Sequence, residues 1–361
     1  MNRFGMLIGL GMLITISCSK KTITPSDNTP TTSDTLVVRG ADLSFLPEIE
    51  QAGTAFYDKN GKKKDALTIL KENGCNTVRI RLWHTPSNFH SSLPEVIVFA
   101  KRIKAAGLKV WLDFHYSDTW ADPGAQSTPA AWQSLNFITL QDSVYNYTAR
   151  VMSIIQPEYV QIGNEINGGF LWDSGRINNS TKFISLLKKG CAAARNSSPS
   201  AKIIIHYAGL NNASSFYDLL RNNSVDYDII GLSYYPIFHG LSLSNVKTTI
   251  DGLTNANNKS ILIAETAYPF TLGYNDFTNN IVGLPTQLVS GYPASADGQK
   301  NFLLALKKII QDNSKGLGFC YLGTEWVSFK GTTATDGSSY ENQALFDFTN
   351  KALPAMEVFN K

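Results

Sequence analysis

Two glutamates are placed where a carboxylate is costly. Glu165 closes the run YVQIGNE (159–165), and Glu265 stands near the end of ILIAETAYP (261–269), each stretch being otherwise rich in apolar and β-branched residues. An acid at the end of an apolar strand is desolvated, which raises its pKa, while a neighbouring cation or hydroxyl lowers it. Two such groups facing one another across a pocket can hydrolyse a glycoside. One is kept protonated to assist the leaving group, and the other is kept ionised to attack or stabilise the anomeric carbon. The competing reading is structural: each Glu pairs with a strand arginine, and Arg79 and Arg81 in TVRIRLW (77–83) are at hand. A pair of such acids, with Asn164 directly before one of them, favours chemistry.

Carboxylates far apart in sequence need a scaffold that brings strand ends together. Eight short β-rich runs recur along the chain: LVVRGADLS (36–44), TVRIRLW (77–83), KVWLDFHYS (109–117), YVQIGNE (159–165), KIIIHYAG (202–209), DIIGLSYYP (228–236), ILIAETAYP (261–269) and GLGFCYLGTEW (316–326). Between them lie helical patterns such as ALTILKENG (66–74) and VIVFAKRIKAAG (96–107), each closing on the Gly expected just past a helix end. Strands alternating with helices imply a parallel sheet, and eight is the number that closes a (β/α)8 TIM barrel. We therefore expect an α/β fold with one such barrel over residues 36–361. An open doubly wound sheet is the alternative, but no Gly-rich phosphate loop follows the first strand.

Barrel active sites lie at the C-terminal ends of the strands. Here those ends carry Asp42 and Ser44, Trp83 and His84, His115 and Asp118, Asn164 and Glu165, His206, Tyr235, Glu265 and Trp326. Trp83, Trp120 and Trp326 fall where stacking platforms for a polysaccharide would be, whereas Trp111 lies mid-strand and reads as core. Asp118 and Asp122 either bond sugar hydroxyls or cap turns.

Composition narrows the class. With 32 Lys+Arg against 29 Asp+Glu the net charge is +3, too weak for a nucleic-acid footprint. Hydrophobic residues at 43% and charged ones at 17% argue against disorder. The aromatic share of 11% suits sugar stacking, although aromatics mostly fill cores.

The N-terminus reads as an export signal. Arg3 precedes an apolar run, Phe4 to Ile16, that ends at Ser17-Cys18. It falls short of the roughly 20 residues a membrane span needs. A Cys after a small residue there is similar to a bacterial lipoprotein signal, with Cys18 lipidated; ordinary secretory cleavage is the alternative. Residues 19–35 are polar and rich in Thr, Ser and Pro, a flexible tether. Cys75, Cys191 and Cys320 have neither disulfide nor zinc spacing and read as buried thiols.

NTVRIR, LDFH, IGNE and IAET at strands two, three, four and seven resemble the retaining glycosidases of clan A. More narrowly, RGADLSFLPEIEQAG, NTVRIRLWHTP, LDFHYSDTWADPGAQ and VQIGNEINGGFLW resemble glycoside hydrolase family 53, the endo-β-1,4-galactanases, from Leu36 to about Trp326. The resemblance implies a retaining endo-hydrolase of pectic β-1,4-galactan. It implies Glu165 as acid/base, Glu265 as nucleophile and Asn164 as a partner of the sugar 2-hydroxyl. Arg79 and Tyr235 would hold the nucleophile, and His115 would line the catalytic subsite. Two departures matter. The family's eighth strand usually reads YWEP with a Trp beneath the sugar, where this chain has Tyr321-Leu322-Gly323-Thr324. The calcium loop of some bacterial members corresponds to TLGYNDFTNNIVG (271–283), which lacks their alternating ligands, so we expect no metal site and no cofactor. We expect a monomeric, exported envelope lipoprotein at the outer membrane or cell surface, held to the membrane by its lipid alone. The alternatives are a mannanase or xylanase of the same clan, or a non-catalytic glycan-binding lipoprotein.

Overall fold

The computed structural model describes Met1 and residues 36–361. The expected signal, Cys18 and the polar tether lie outside the described residues. Eight parallel strands close a barrel: strand one (Val38–Asp42), two (Thr77–Leu82), three (Lys109–Phe114), four (Tyr159–Ile162), five (Lys202–Ala208), six (Ile229–Ser233), seven (Ser260–Thr266) and eight (Gly316–Tyr321). Strand one closes the ring, pairing with strand eight (Val38 opposite Gly318) and with strand two (Gly40 opposite Thr77). Helices cover the outer face, so both faces of each strand are buried, and this is why the runs are nearly continuous Val, Ile and Leu.

Local sequence sets the helix limits. The helix Ala66–Glu72 begins at Asp65, whose carboxylate accepts the Thr68 N–H at 3.0 Å. It ends before Gly74, which has φ +95°. A Cβ on Gly74 would also lie 2.5 Å from the Phe359 carbonyl oxygen, so no side chain fits there. The helix Leu93–Ala105 starts earlier than its apolar period suggests, because Pro94 suits a first turn that lacks an N–H partner. After strand eight the outer layer is completed by a 3₁₀ segment, Pro354–Phe359, packed on the helix Ala296–Gln311. A two-stranded ribbon, Phe56–Tyr57 with Lys63–Lys64, lies outside the barrel. Among the described residues, no helix is long and apolar enough to cross a membrane.

The barrel interior is layered. Val38, Trp111, Tyr159, Ile204, Ile229, Leu262, Ala264 and Cys320 form one buried apolar cluster, which confirms Trp111 as core. Side chains alternate along a strand. Two residues beyond Trp111, Tyr159 and Ile204 come Asp113, Gln161 and His206, each at 0% exposure. A polar layer therefore sits directly on the apolar one, towards the C-terminal mouth. Cys75, Cys191 and Cys320 are free and buried, as expected.

Strand seven breaks the alternation. On one side, Leu232 and Ser233 of strand six face Ile263 and Glu265. On the other, Phe319 and Tyr321 of strand eight face Ile263 and Thr266. Strand seven thus carries one extra residue between Ile263 and Thr266. Such a bulge re-aims the side chain that follows it.

Candidate active site

The bulge delivers Glu265 into the mouth of the barrel, where it is 6% exposed. Its Oε1 lies 2.7 Å from Arg79 Nη2, and its Oε2 accepts the Tyr235 hydroxyl at 2.9 Å. Arg79, buried at 2% exposure, also reaches Asp42 at 3.0 Å, Asp113 at 2.7 Å and the Asn164 side-chain oxygen at 2.8 Å. Burial raises the Glu265 pKa, while Arg79 and Tyr235 pull it back down. The net direction is upward, but Arg79 and Tyr235 oppose it by stabilising the ionised form.

Glu165 arrives differently. Strand four ends at Ile162, and the chain turns through Gly163 (φ +83°) to Glu165 itself at φ +48°. A left-handed glutamate costs roughly 1–2 kcal/mol, a strain tolerated where surroundings fix it. The Ile166 N–H bonded to the His206 carbonyl at 3.0 Å helps to fix it here. Among the described residues, no arginine forms an ion pair with Glu165. Ser233 donates to its Oε1 at 2.5 Å. Burial, with the charge of Glu265 adding, pushes its carboxyl up to about 8. The structural reading of the two acids thus holds for Glu265 alone. Arg81 pairs with neither: its guanidinium lies under Phe45, Trp83 and Trp120 at 4.4, 4.7 and 4.0 Å from the ring centres.

Around the pair, Asn164 Oδ1 accepts from Arg79 and from Gln161 Nε2 (3.0 Å), which also lies 3.0 Å from the acceptor His206 Nδ1, while Asn164 Nδ2 donates to the Ala121 carbonyl at 2.8 Å. His206 Nε2 lies 2.8 Å from Ser233 Oγ, so a hydrogen-bonded chain runs from His206 through Ser233 to Glu165. His115 accepts the Ala121 N–H on Nδ1 at 3.0 Å and meets Asp113 with Nε2 at 3.1 Å. Burial lowers the pKa of both histidines, so both are neutral.

The cleft is a cavity of about 550 Å³ whose lining includes Trp120, Asn164, Glu165, Tyr235, Glu265, Leu322, Trp326 and Tyr340. A second groove of about 300 Å³ adjoins it and shares Trp120 and Trp326 as walls. Trp120 and Trp326 are thus displayed as expected. Trp83 is not: it is 9% exposed and packs edge-on behind Trp120, with ring centres 5.8 Å apart. His115 and His206 also lie behind the surface, at 2% and 0% exposure, where they can only support. Asp118 accepts the Thr85 and Ala130 N–H groups, the turn-capping alternative, and Asp122 likewise caps Gly124 and Ala125. Sequence reasoning missed Gln161, Ser233 and Tyr340. A polar residue inside an apolar strand signals the first, but no local pattern marks Tyr340.

Glu165, His206 and Glu265 bring one donor atom each within 4.8 Å of one another, a geometry that a metal ion also uses. The donors are engaged, however: His206 by Gln161 and Ser233, and Glu265 by Arg79 and Tyr235. In the loop 271–283, Asp276 accepts Thr278 N–H and Ser328 Oγ, and Asn275 N–H meets Glu341.

A closed parallel barrel with a carboxylate pair of opposed environments at its C-terminal mouth defines a glycoside-hydrolase site. The sequence places it more narrowly. Residues 38–359 match the model for glycosyl hydrolase family 53, and the chain belongs to that family. It is 36% identical to an arabinogalactan endo-β-1,4-galactanase of Cellvibrio japonicus, over 92% of this chain and 93% of that one. It is 31% identical to an endo-β-1,4-galactanase of Bacillus subtilis, over 89% and 85%. Among solved structures, the Ignisphaera aggregans family 53 catalytic domain superposes with a TM-score of 0.85 at 39% identity, covering 94% of this chain and 98% of that one. A Penicillium canescens endo-1,4-β-xylanase shares the fold alone, at 16% identity, TM-score 0.57 and coverage of 82% and 88%.

Proposed function

We propose that the protein hydrolyses internal β-1,4-galactosidic bonds of pectic galactan by double displacement. Membership of family 53 and galactanase relatives across most of the chain support the activity. The observation that carries the mechanism is the carboxylate pair, whose oxygens approach within 4.8 Å. Retaining pairs sit about 5–5.5 Å apart and inverting pairs roughly 6.5–9.5 Å, and so close an approach of two oxygens supports the retaining spacing. In the first step a Glu265 oxygen bonds the anomeric carbon, the glycosidic C–O bond breaks, and the Glu165 proton passes to the leaving oxygen. In the second, Glu165 takes a proton from water, whose oxygen displaces Glu265. Arg79 and Tyr235 hold the nucleophile, and Asn164 faces the sugar beside it. Neither step needs a cofactor. The open groove beyond Trp120 and Trp326 suits a polymer bound along its length.

The test is a reducing-sugar assay against galactan, arabinan, mannan and xylan. Galactan should be cleaved fastest. Cleavage of mannan or xylan instead would overturn the substrate, and no cleavage at all would favour a glycan-binding protein. For location, the sequence supports export with lipidation of Cys18, a tether over 19–35 and a catalytic barrel over 36–361. Cys18→Ala should move the protein from the membrane fraction to the soluble one, and a soluble wild type would sink the lipoprotein reading.

A further inference from the structure

Strand eight offers no ring to the cleft: its end carries Leu322, aliphatic and 8% exposed. The aromatic wall beside the carboxylates comes from elsewhere. Tyr340, half-buried and far along the segment after strand eight, lines the same cavity as Glu165 and Glu265. Its ring meets Trp326 edge-on at 5.0 Å and Tyr235 at 6.4 Å.

The backbone presenting Tyr340 is firmly tied. Its N–H donates to Ser338 Oγ at 3.2 Å, and its carbonyl accepts the Gln343 N–H at 2.7 Å. Tyr321 of strand eight donates its hydroxyl to the Gln343 carbonyl at 2.6 Å. Asn342 donates to the carbonyls of Thr271 and Val282 at 2.9 and 2.7 Å. The two phenols that flank the carboxylates differ in one respect. Tyr235 donates its hydroxyl to Glu265, whereas the Tyr340 hydroxyl bonds no protein group among the described residues. The Tyr340 hydroxyl is open to the water of the cleft, where a sugar hydroxyl can take that water's place. Burial and both nearby carboxylates raise its pKa, so it remains a donor.

We propose that Tyr340 is a substrate-binding residue of the catalytic subsite, its ring packing on the C–H face of the sugar and its hydroxyl donating to a sugar hydroxyl. The proposal rests on the glycosidase reading above. It assigns to a loop the platform that Leu322 does not supply. Holding the sugar against the carboxylates matters more in the transition state than in the ground state, so the loss should appear mainly in kcat.

The experiment compares Tyr340→Phe and Tyr340→Leu with wild type, measuring kcat, KM and melting temperature on whichever glycan the wild type cleaves fastest. That choice keeps the test independent of the galactan assignment. Tyr340→Leu should lose about thirtyfold in kcat/KM and Tyr340→Phe about fivefold, both at an unchanged melting temperature. Tyr340→Leu within twofold of wild type overturns the proposal, as does a loss that tracks a lowered melting temperature. Should Tyr340→Leu fail to fold, Tyr340→Phe decides: wild-type kcat/KM in that variant overturns the proposal, and a severalfold loss with intact stability supports it.

Discussion

Glu165 and Glu265 share one cavity and nearly the same burial, yet their surroundings are opposite. Glu265 is met by a guanidinium and a phenol; Glu165 is met by a single serine hydroxyl. Desolvation acts on both, but Arg79 pairs directly with Glu265 and reaches Glu165 only through space. Since one charge also repels the other, the lone proton settles on Glu165. Division of labour between identical side chains is thus set by the strands behind them: Arg79 on strand two serves one, and Ser233 on strand six serves the other.

The sharpest way to break this contrast is to delete each acid. Glu265→Ala should lose about 10⁵-fold or more in kcat on every substrate, since no nucleophile remains. Glu165→Ala should lose about 10³-fold on galactan but keep its first step on aryl galactosides with good leaving groups, which need little protonation. Azide should rescue Glu165→Ala and yield a β-galactosyl azide. An α-azide, or equal losses on both substrates, would refute the assignment.

Removing the cation comes next. Arg79→Met leaves Asp42, Asp113 and Glu265 without their shared partner, and stripping one side of a buried ion cluster costs about 3–5 kcal/mol. Urea unfolding measures that loss. The acidic limb of the pH–rate profile should also move upward, because Glu265 then ionises less readily.

The pH dependence sharpens the comparison from the other side. Glu165 holds its proton to about 8 when folded, against 4.5 for an ordinary glutamate. The folded state therefore binds more protons between those values, and this residue's contribution to stability declines as pH rises through that window. Glu165→Gln should flatten the slope. The wild-type kcat/KM profile should fall with a basic limb at about 8. The smallest effect belongs to Ser233→Ala. Its hydroxyl lowers the Glu165 pKa, so its loss should shift that limb to higher pH, with only a few-fold change at the optimum. A downward shift would mean that Ser233 stabilises the protonated form instead.

Much of this was legible because barrel strands buried on both faces read as short, nearly continuous apolar runs between helical stretches. All eight strands, the closing glycines, the two acids and Arg79 follow from residue type and spacing. The strand ends were read too long: YVQIGNE continues to Glu165, but the ladder stops at Ile162 and the chain turns left-handed. A positive φ at a non-glycine leaves no compositional trace. Trp83 has the strand-end position of a platform, while its burial depends on Arg81 two residues before it and on Trp120, which packs from another segment. The ribbon at Phe56–Tyr57 has too few residues to show a period. Tyr340 belongs to a loop whose course is fixed by distant carbonyls, so nothing nearby in sequence points to it.

The extra residue in strand seven has a consequence for how this site can change. An inward or outward position on a strand is a matter of odd and even counting, and a bulge switches the count for everything beyond it. With the bulge, Ala264 lies in the apolar interior and Glu265 faces the cleft; ironed flat, the strand would offer Thr266 to the mouth and turn the carboxylate into the helical layer. Deleting Ala264 would remove the extra residue itself and leave Glu265 opposite Ser233 on the inward count, whereas flattening the strand with Ala264 in place would turn the carboxylate away. Parity, as much as residue identity, keeps Glu265 where Arg79 can reach it.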